Sequence, residues 1–192
     1  MIDHNASPNE KNSPYFVRNK EFCDQLEEFV LKRKGKVKGS YNAWSYAIIG
    51  KISKPSVWTL SYKKATFTSG NLFLSSKYQN VLTSAVWQTR NLFKSNFKIR
   101  KRNKLDFFLL NFSNSRTILN VSDRYVIDHD MSKIDGLEEL MSLLNPLFLS
   151  GEIYNIENLN GDFRIDLRTE QHHFQIFEQV VKLKKLKLNS NA

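Results

Sequence analysis

Seven cations fall within the fifteen residues from Arg90 to Lys104: Arg90, Lys94, Lys98, Arg100, Lys101, Arg102 and Lys104. Ammonium and guanidinium groups neutralise phosphates and release their condensed counterions, which is the chemistry that holds a nucleic-acid backbone. A second cluster, Lys32, Arg33, Lys34, Lys36 and Lys38, lies upstream. Both belong to a stretch from Phe29 to Leu105 with seventeen Lys/Arg and no Asp or Glu, in a chain of net charge +10. The flanks are acidic, with three basic against six acidic residues before it and nine against thirteen after it. An excess of one sign repels itself in the compact state, so its retention points to an anionic partner. Trp44, Trp58 and Trp87, the three tryptophans, all lie inside the stretch and would offer faces for base stacking if exposed. The competing reading makes these lysines ordinary solubilising residues on the outer face of a sheet, with the aromatics in its core.

Hydrolytic chemistry would have to come from Asp128, His129 and Asp130, with His172, His173 and Asp162 or Asp166 as further ligands. Oxygen and imidazole donors of that kind hold Mg²⁺, Mn²⁺ or Zn²⁺. The chain contains no HExxH, no paired CxxC and no glycine-rich nucleotide loop. Asp128 and Asp130 alternate at the end of a predicted strand, where acids commonly serve turns and caps. No catalytic residue, metal or cofactor is therefore assigned. Cys23, the single cysteine, has no thiol to pair with and is read as a small packed side chain on a helix. A reducing, cytoplasmic setting is expected, with neither a signal sequence nor a spanning segment.

The elements that must position these groups are readable from their periods. Phe22, Leu26, Phe29 and Val30 predict an amphipathic helix from Asn19, stopped at Gly35. From Lys36 to about Phe112 the texture is β-like, with strands near 41 to 49, 56 to 63, 65 to 68, 71 to 75, 81 to 89 and 96 to 102. In the last of these Phe97 and Ile99 face one side, and Lys98, Arg100 and Arg102 the other. Residues 104 to 112 read as either a short helix or a strand. Short strands are expected at 117 to 121 and 124 to 128, followed by a helix opened by Ser132 and Asp135 and ended by Pro146. Asn160-Gly161 predicts a tight hairpin between 152 to 159 and 162 to 168, and Thr169 is expected to cap a final helix. The lysine-rich stretch from Val181 to Leu188 reads as the frayed end of that helix.

The expected fold is α+β, a largely antiparallel sheet packed by about three helices. The boundaries are a flexible arm at 1 to 17, one domain at 18 to 188 and a tail at 189 to 192. At 192 residues the chain suits one hydrophobic core.

The succession of a strand at Phe97 to Arg100, a strand at Tyr125 to Asp130, a leucine-rich helix at Leu137 to Leu144, a hairpin and a closing helix resembles an uncharacterised bacterial family of α+β domains. The resemblance spans about residues 20 to 187. It implies a domain that usually accompanies transmembrane helices, and it transfers no chemistry and no site residue. The residues themselves lead to a non-enzymatic binding module for an anionic partner, nucleic acid favoured over an anionic membrane surface or an acidic protein. The alternatives are a metal-dependent phosphodiester hydrolase and a peripheral membrane or protein-interaction domain.

Overall fold

The computed structural model describes residues 1–66, 81–106, 116–130 and 134–189. The fold is α+β, as expected: ten strands in a mixed, mostly antiparallel sheet and, among the described residues, four α-helices, three of them seven residues or longer. The chain divides into two compact units, residues 1–86 with 168–172 and residues 87–167 with 173–192.

In the first unit, helix α1 (Pro14–Leu31) starts a turn before the expected Asn19. The cause is local: Ser13 Oγ accepts from Tyr15 N, and Pro14 occupies the first turn, where its missing N–H costs nothing. Phe16 and Asn19 are thereby buried. Residues 2 to 4, within the expected arm, form strand β1 (Ile2–His4), which runs parallel to β2 (Lys36–Tyr41). β2 then pairs antiparallel with β3 (Tyr46–Ile52), and β3 with β4 (Trp58–Thr66).

The single strand expected at 41 to 49 is in fact two strands joined by a turn. Asn42 Oδ1 accepts from Trp44 N and Ser45 N, the short-range bonding by which asparagine reverses a chain. Asn19 Nδ2 donates to the carbonyls of Asn42 and Ala43 and ties α1 to this turn. The expected strand at 65 to 68 is, as far as Thr66, the end of β4; the one at 71 to 75 lies outside the described residues.

Val37, Tyr41, Tyr46, Ile48, Ile52, Trp58, Leu60 and Tyr62 alternate inward and meet Leu26 and Val30 in the core. Gly50 is the point of closest approach, because a Cβ there would stand 2.5 Å from Val30 Cγ2. Gly50→Ala is therefore expected to cost about 1–3 kcal/mol by overpacking, and Val30→Ala about 2 kcal/mol by leaving a cavity. The double substitution should cost clearly less than the sum, since the new methyl group fills the space that the valine vacates. Urea unfolding of the three variants checks this, and strict additivity would refute the packing described.

β5 (Val81–Arg90) carries the chain into the second unit, whose other strands follow the order β10-β9-β6-β8-β7. These are β6 (Phe97–Lys101), β7 (Arg116–Leu119), β8 (Ser122–His129), β9 (Ile153–Leu159) and β10 (Asp162–Leu167), every neighbouring pair antiparallel. The Asn160-Gly161 hairpin forms as expected, with φ of 52° and 83° at its two turn positions. Phe97 and Ile99 of β6 and Phe163, Ile165 and Leu167 of β10 are buried, as their alternation predicts.

α2 (Leu137–Leu143) is followed by a short α3 (Asn145–Ser150). Pro146 does more than end a helix, since it sits in the first turn of the next, where proline is tolerated. Ser132, the expected cap, lies outside the described residues, as does the stretch from Phe107 to Phe112. α4 (Phe174–Asn189) starts later than expected, because Thr169 Oγ1 accepts from Gln171 N in a local turn instead of capping the helix. No helix among the described residues is long and apolar enough to cross a membrane.

Candidate anion-binding surface

β6 presents Lys98 and Arg100 on the face opposite Phe97 and Ile99, as expected. In the sheet, however, β6 lies between β9 and β8, and both neighbours bring acids to the same face. The register sets Arg164, Glu157, Lys98, Asp128 and Arg116 level with one another across five strands, so the signs alternate. Lys98 Nζ lies 3.6 Å from Glu157, and Arg164 Nε lies 2.7 Å from Asp166.

Arg100 grips Asp106 with both Nη atoms at 2.7 Å and reaches Asp128 at 3.4 Å through Nε. Arg116 closes the ring on Asp106 and Asp128. Asp106 also accepts from Asn103 N at 2.7 Å and is fully buried. Hydrogen bonds from Arg100 hold its carboxyl down to about 2, against the opposing effect of burial, and Arg100 is raised in turn. Four cations and four acids thus neutralise one another on this face.

The remaining expected cations separate into distinct settings. Arg90 lies 3.1 Å from Asp162, with both side chains largely exposed. Lys32 pairs with Glu28 one helical turn away, and Arg33 donates to Phe29 O with its guanidinium 3.6 Å over the Phe29 ring. Lys34 takes the left-handed conformation after α1, with φ of 54°. Lys36 and Lys38 project from the outer face of β2 and Lys94 precedes β6, all three exposed.

Lys101, Arg102 and Lys104 converge. Together with Asn103, Arg124, Tyr125 and Gly151 they line an open cavity of about 500 Å³ where β6 ends and β8 begins. The register sets Lys101 level with Tyr125, and Arg102 N donates to Arg124 O at 2.7 Å, which fixes the two basic segments against each other. Tyr125 is buried, its hydroxyl donating to Ile153 O at 3.0 Å, so it forms the floor. None of the lining residues is acidic, and among the described residues Lys101, Lys104 and Arg124 make no ion pair. Arg124 lies in the acid-containing half of the chain, where no local charge density marks it; its pairing with the Arg102 segment arises only in the sheet.

Asp128, His129 and Asp130 follow one another at the end of β8 and do not converge. Asp128 is bound by two guanidiniums, His129 is half-buried on the opposite side of the strand, and Asp130 is exposed beyond the strand. His172 stacks on Phe22 at 3.8 Å within the first unit, whereas His173 lies 3.2 Å from Glu152 in the second. No three His, Cys, Asp or Glu side chains gather as metal ligands among the described residues. Cys23 is fully buried, and that burial pushes its thiol up to about 12, a value that leaves it protonated and unreactive.

Comparison of the chain with protein-family models, curated proteins and solved structures yields no match.

Proposed function

We propose that the chain is a non-enzymatic binding module for an anionic partner, nucleic acid before an anionic membrane or an acidic protein. The cavity of Lys101, Arg102, Lys104 and Arg124 is the phosphate-binding element of this reading. The observation that carries it is the gathering of four cations around one concavity with no acid in its lining. The neighbouring arginines are already neutralised by Asp106 and Asp128, so among the described residues Lys101, Lys104 and Arg124 keep their charge for an external partner while the sheet beside them does not.

A concavity admits a phosphate that protrudes from a polymer, whereas a lipid plane would meet only its rim. Asn103 adds an amide beside the charges, a group that commonly hydrogen-bonds phosphate or sugar oxygens.

Three phosphate contacts, from Lys101, Lys104 and Arg124, predict a logarithmic salt slope of about −2 for the cavity, a loss of affinity of about 16-fold between about 50 and about 200 mM salt. Reversing two of the charges, in Lys101→Glu/Arg124→Glu, should flatten the slope by about 1.5. Fluorescence anisotropy with a labelled single-stranded oligonucleotide measures both. An unchanged slope in this variant would remove the cavity from the binding surface, and no detectable binding at low salt would remove nucleic acid as the partner.

A further inference from the structure

The outer face of β2, β3 and β4 in the first unit carries a second set of cations. Lys36, Lys38 and Ser40 alternate outward along β2, Ala47, Ile49 and Lys51 along β3, and Thr59, Ser61 and Lys63 along β4. The register places these in three cross-strand rows: Lys36, Lys51 and Thr59; Lys38, Ile49 and Ser61; Ser40, Ala47 and Lys63. All four lysines are exposed, and none makes an ion pair among the described residues. No acid stands on this face of the three strands. The nearest in the register is Asp3, level with Ser40 on the edge strand β1.

Lys36 and Lys51 are direct cross-strand partners, so two like charges face each other on neighbouring strands. Such a pair destabilises an antiparallel ladder, and an acid at either position would remove the penalty. Here the repulsion stands uncompensated on an open face.

We infer that this face binds the phosphate backbone of a nucleic acid, independently of base identity. The lysines supply the charge, and Ser40, Thr59 and Ser61 supply hydroxyls of the kind that hydrogen-bond phosphate oxygens. No aromatic side chain projects from these rows, so no base is stacked there and no sequence is read. The same lack of large apolar groups, with only Ala47 exposed and Ile49 half-buried among the charges, argues against insertion into a lipid surface, which needs bulky apolar anchors. The face and the cavity belong to different units and stand or fall separately.

Lys51→Glu/Lys63→Gln tests the inference in the full chain. The glutamate would face Lys36 and convert repulsion into attraction, so the melting temperature should hold or rise. Affinity for a labelled homopolymeric DNA strand should fall at least about tenfold, and the salt slope should flatten by about 1.5. Circular dichroism monitors folding, and Lys36→Gln/Lys38→Gln serves as a second, neutralising variant with the same expected loss. Wild-type affinity and slope in both variants would overturn the inference. So would loss of binding to phosphatidylserine vesicles with DNA binding retained, which would make the face a membrane surface. If Lys101→Glu/Arg124→Glu alone weakens DNA binding, the cavity stands and this face falls; if only the lysine-face variants do, the reverse holds.

Discussion

Asp106→Ala is expected to destabilise the protein by about 3 kcal/mol, the cost of removing one partner from a buried ion-pair network. The carboxylate is fully buried and receives both Nη atoms of Arg100, one from Arg116 and the backbone N–H of Asn103. Its loss leaves those donors without their common acceptor. The penalty stays at the lower end of the range for buried pairs because both arginine side chains keep about a fifth of their exposure and Asp128 remains to share them. Asp106→Asn should cost somewhat less, since an amide oxygen still accepts one or two of the bonds. The same contacts set a pH dependence. The Asp106 carboxyl is lowered from 3.8 to about 2 in the folded protein, so the unfolded chain takes up its proton first as pH falls. Its contribution is therefore complete above about pH 4 and is lost between there and about pH 2. Chemical unfolding followed across that window should show a steeper loss in the wild type than in Asp106→Asn, and parallel curves would refute the assignment.

This network also explains which parts of the fold could be read from the chain and which could not. Phe97, Ile99, Phe163 and Ile165 are buried where a two-residue period puts them, and the Asn160-Gly161 turn forms where its left-handed requirement predicts. Those features depend on a few adjacent residues. The charge of β6 does not. Lys98 and Arg100 sit in a stretch of 77 residues without an acid, yet Glu157 and Asp128 meet them from strands that follow much later in the chain. The strand order β9-β6-β8 interleaves in space what the sequence keeps apart. Charge density along a chain measures a surface only when neighbouring strands come from the same segment. That condition holds for β2, β3 and β4, which are consecutive hairpin partners inside the acid-free stretch. Among the described residues Lys51 and Lys63 therefore make no ion pair beside Lys36 and Lys38, although neither stands in a dense cluster. Arg124 is the converse case, a cation in an acidic half that folding delivers to a basic cavity.

The tryptophans separate in the same way, and their substitution carries the other large effect. Trp58→Ala and Trp87→Ala are each expected to cost about 4 kcal/mol, whereas Trp44→Ala should cost less than about 1 kcal/mol. Trp58 and Trp87 have no exposed surface, Trp58 donating its Nε1–H to Ser56 Oγ and Trp87 meeting Phe177 edge-on at 5.3 Å. Trp44 is 52% exposed in the turn between β2 and β3, tilted against Tyr15. Removal of either buried indole leaves a cavity too large for its surroundings to close, and removal of Trp44 leaves mostly solvent. Of the three aromatic faces expected within the basic stretch, only Trp44 is therefore open to a base. Trp58→Phe and Trp87→Phe preserve most of the packing and should leave nucleic-acid affinity unchanged while lowering stability measurably. A fall in affinity in either variant at full folding would mean that the buried ring is reached by the partner, and urea unfolding beside anisotropy separates the two outcomes. On the proposed reading, with two indoles buried in cores, phosphate contact through lysine and arginine would supply most of the affinity, which is why a steep salt slope is the measurement on which that reading turns.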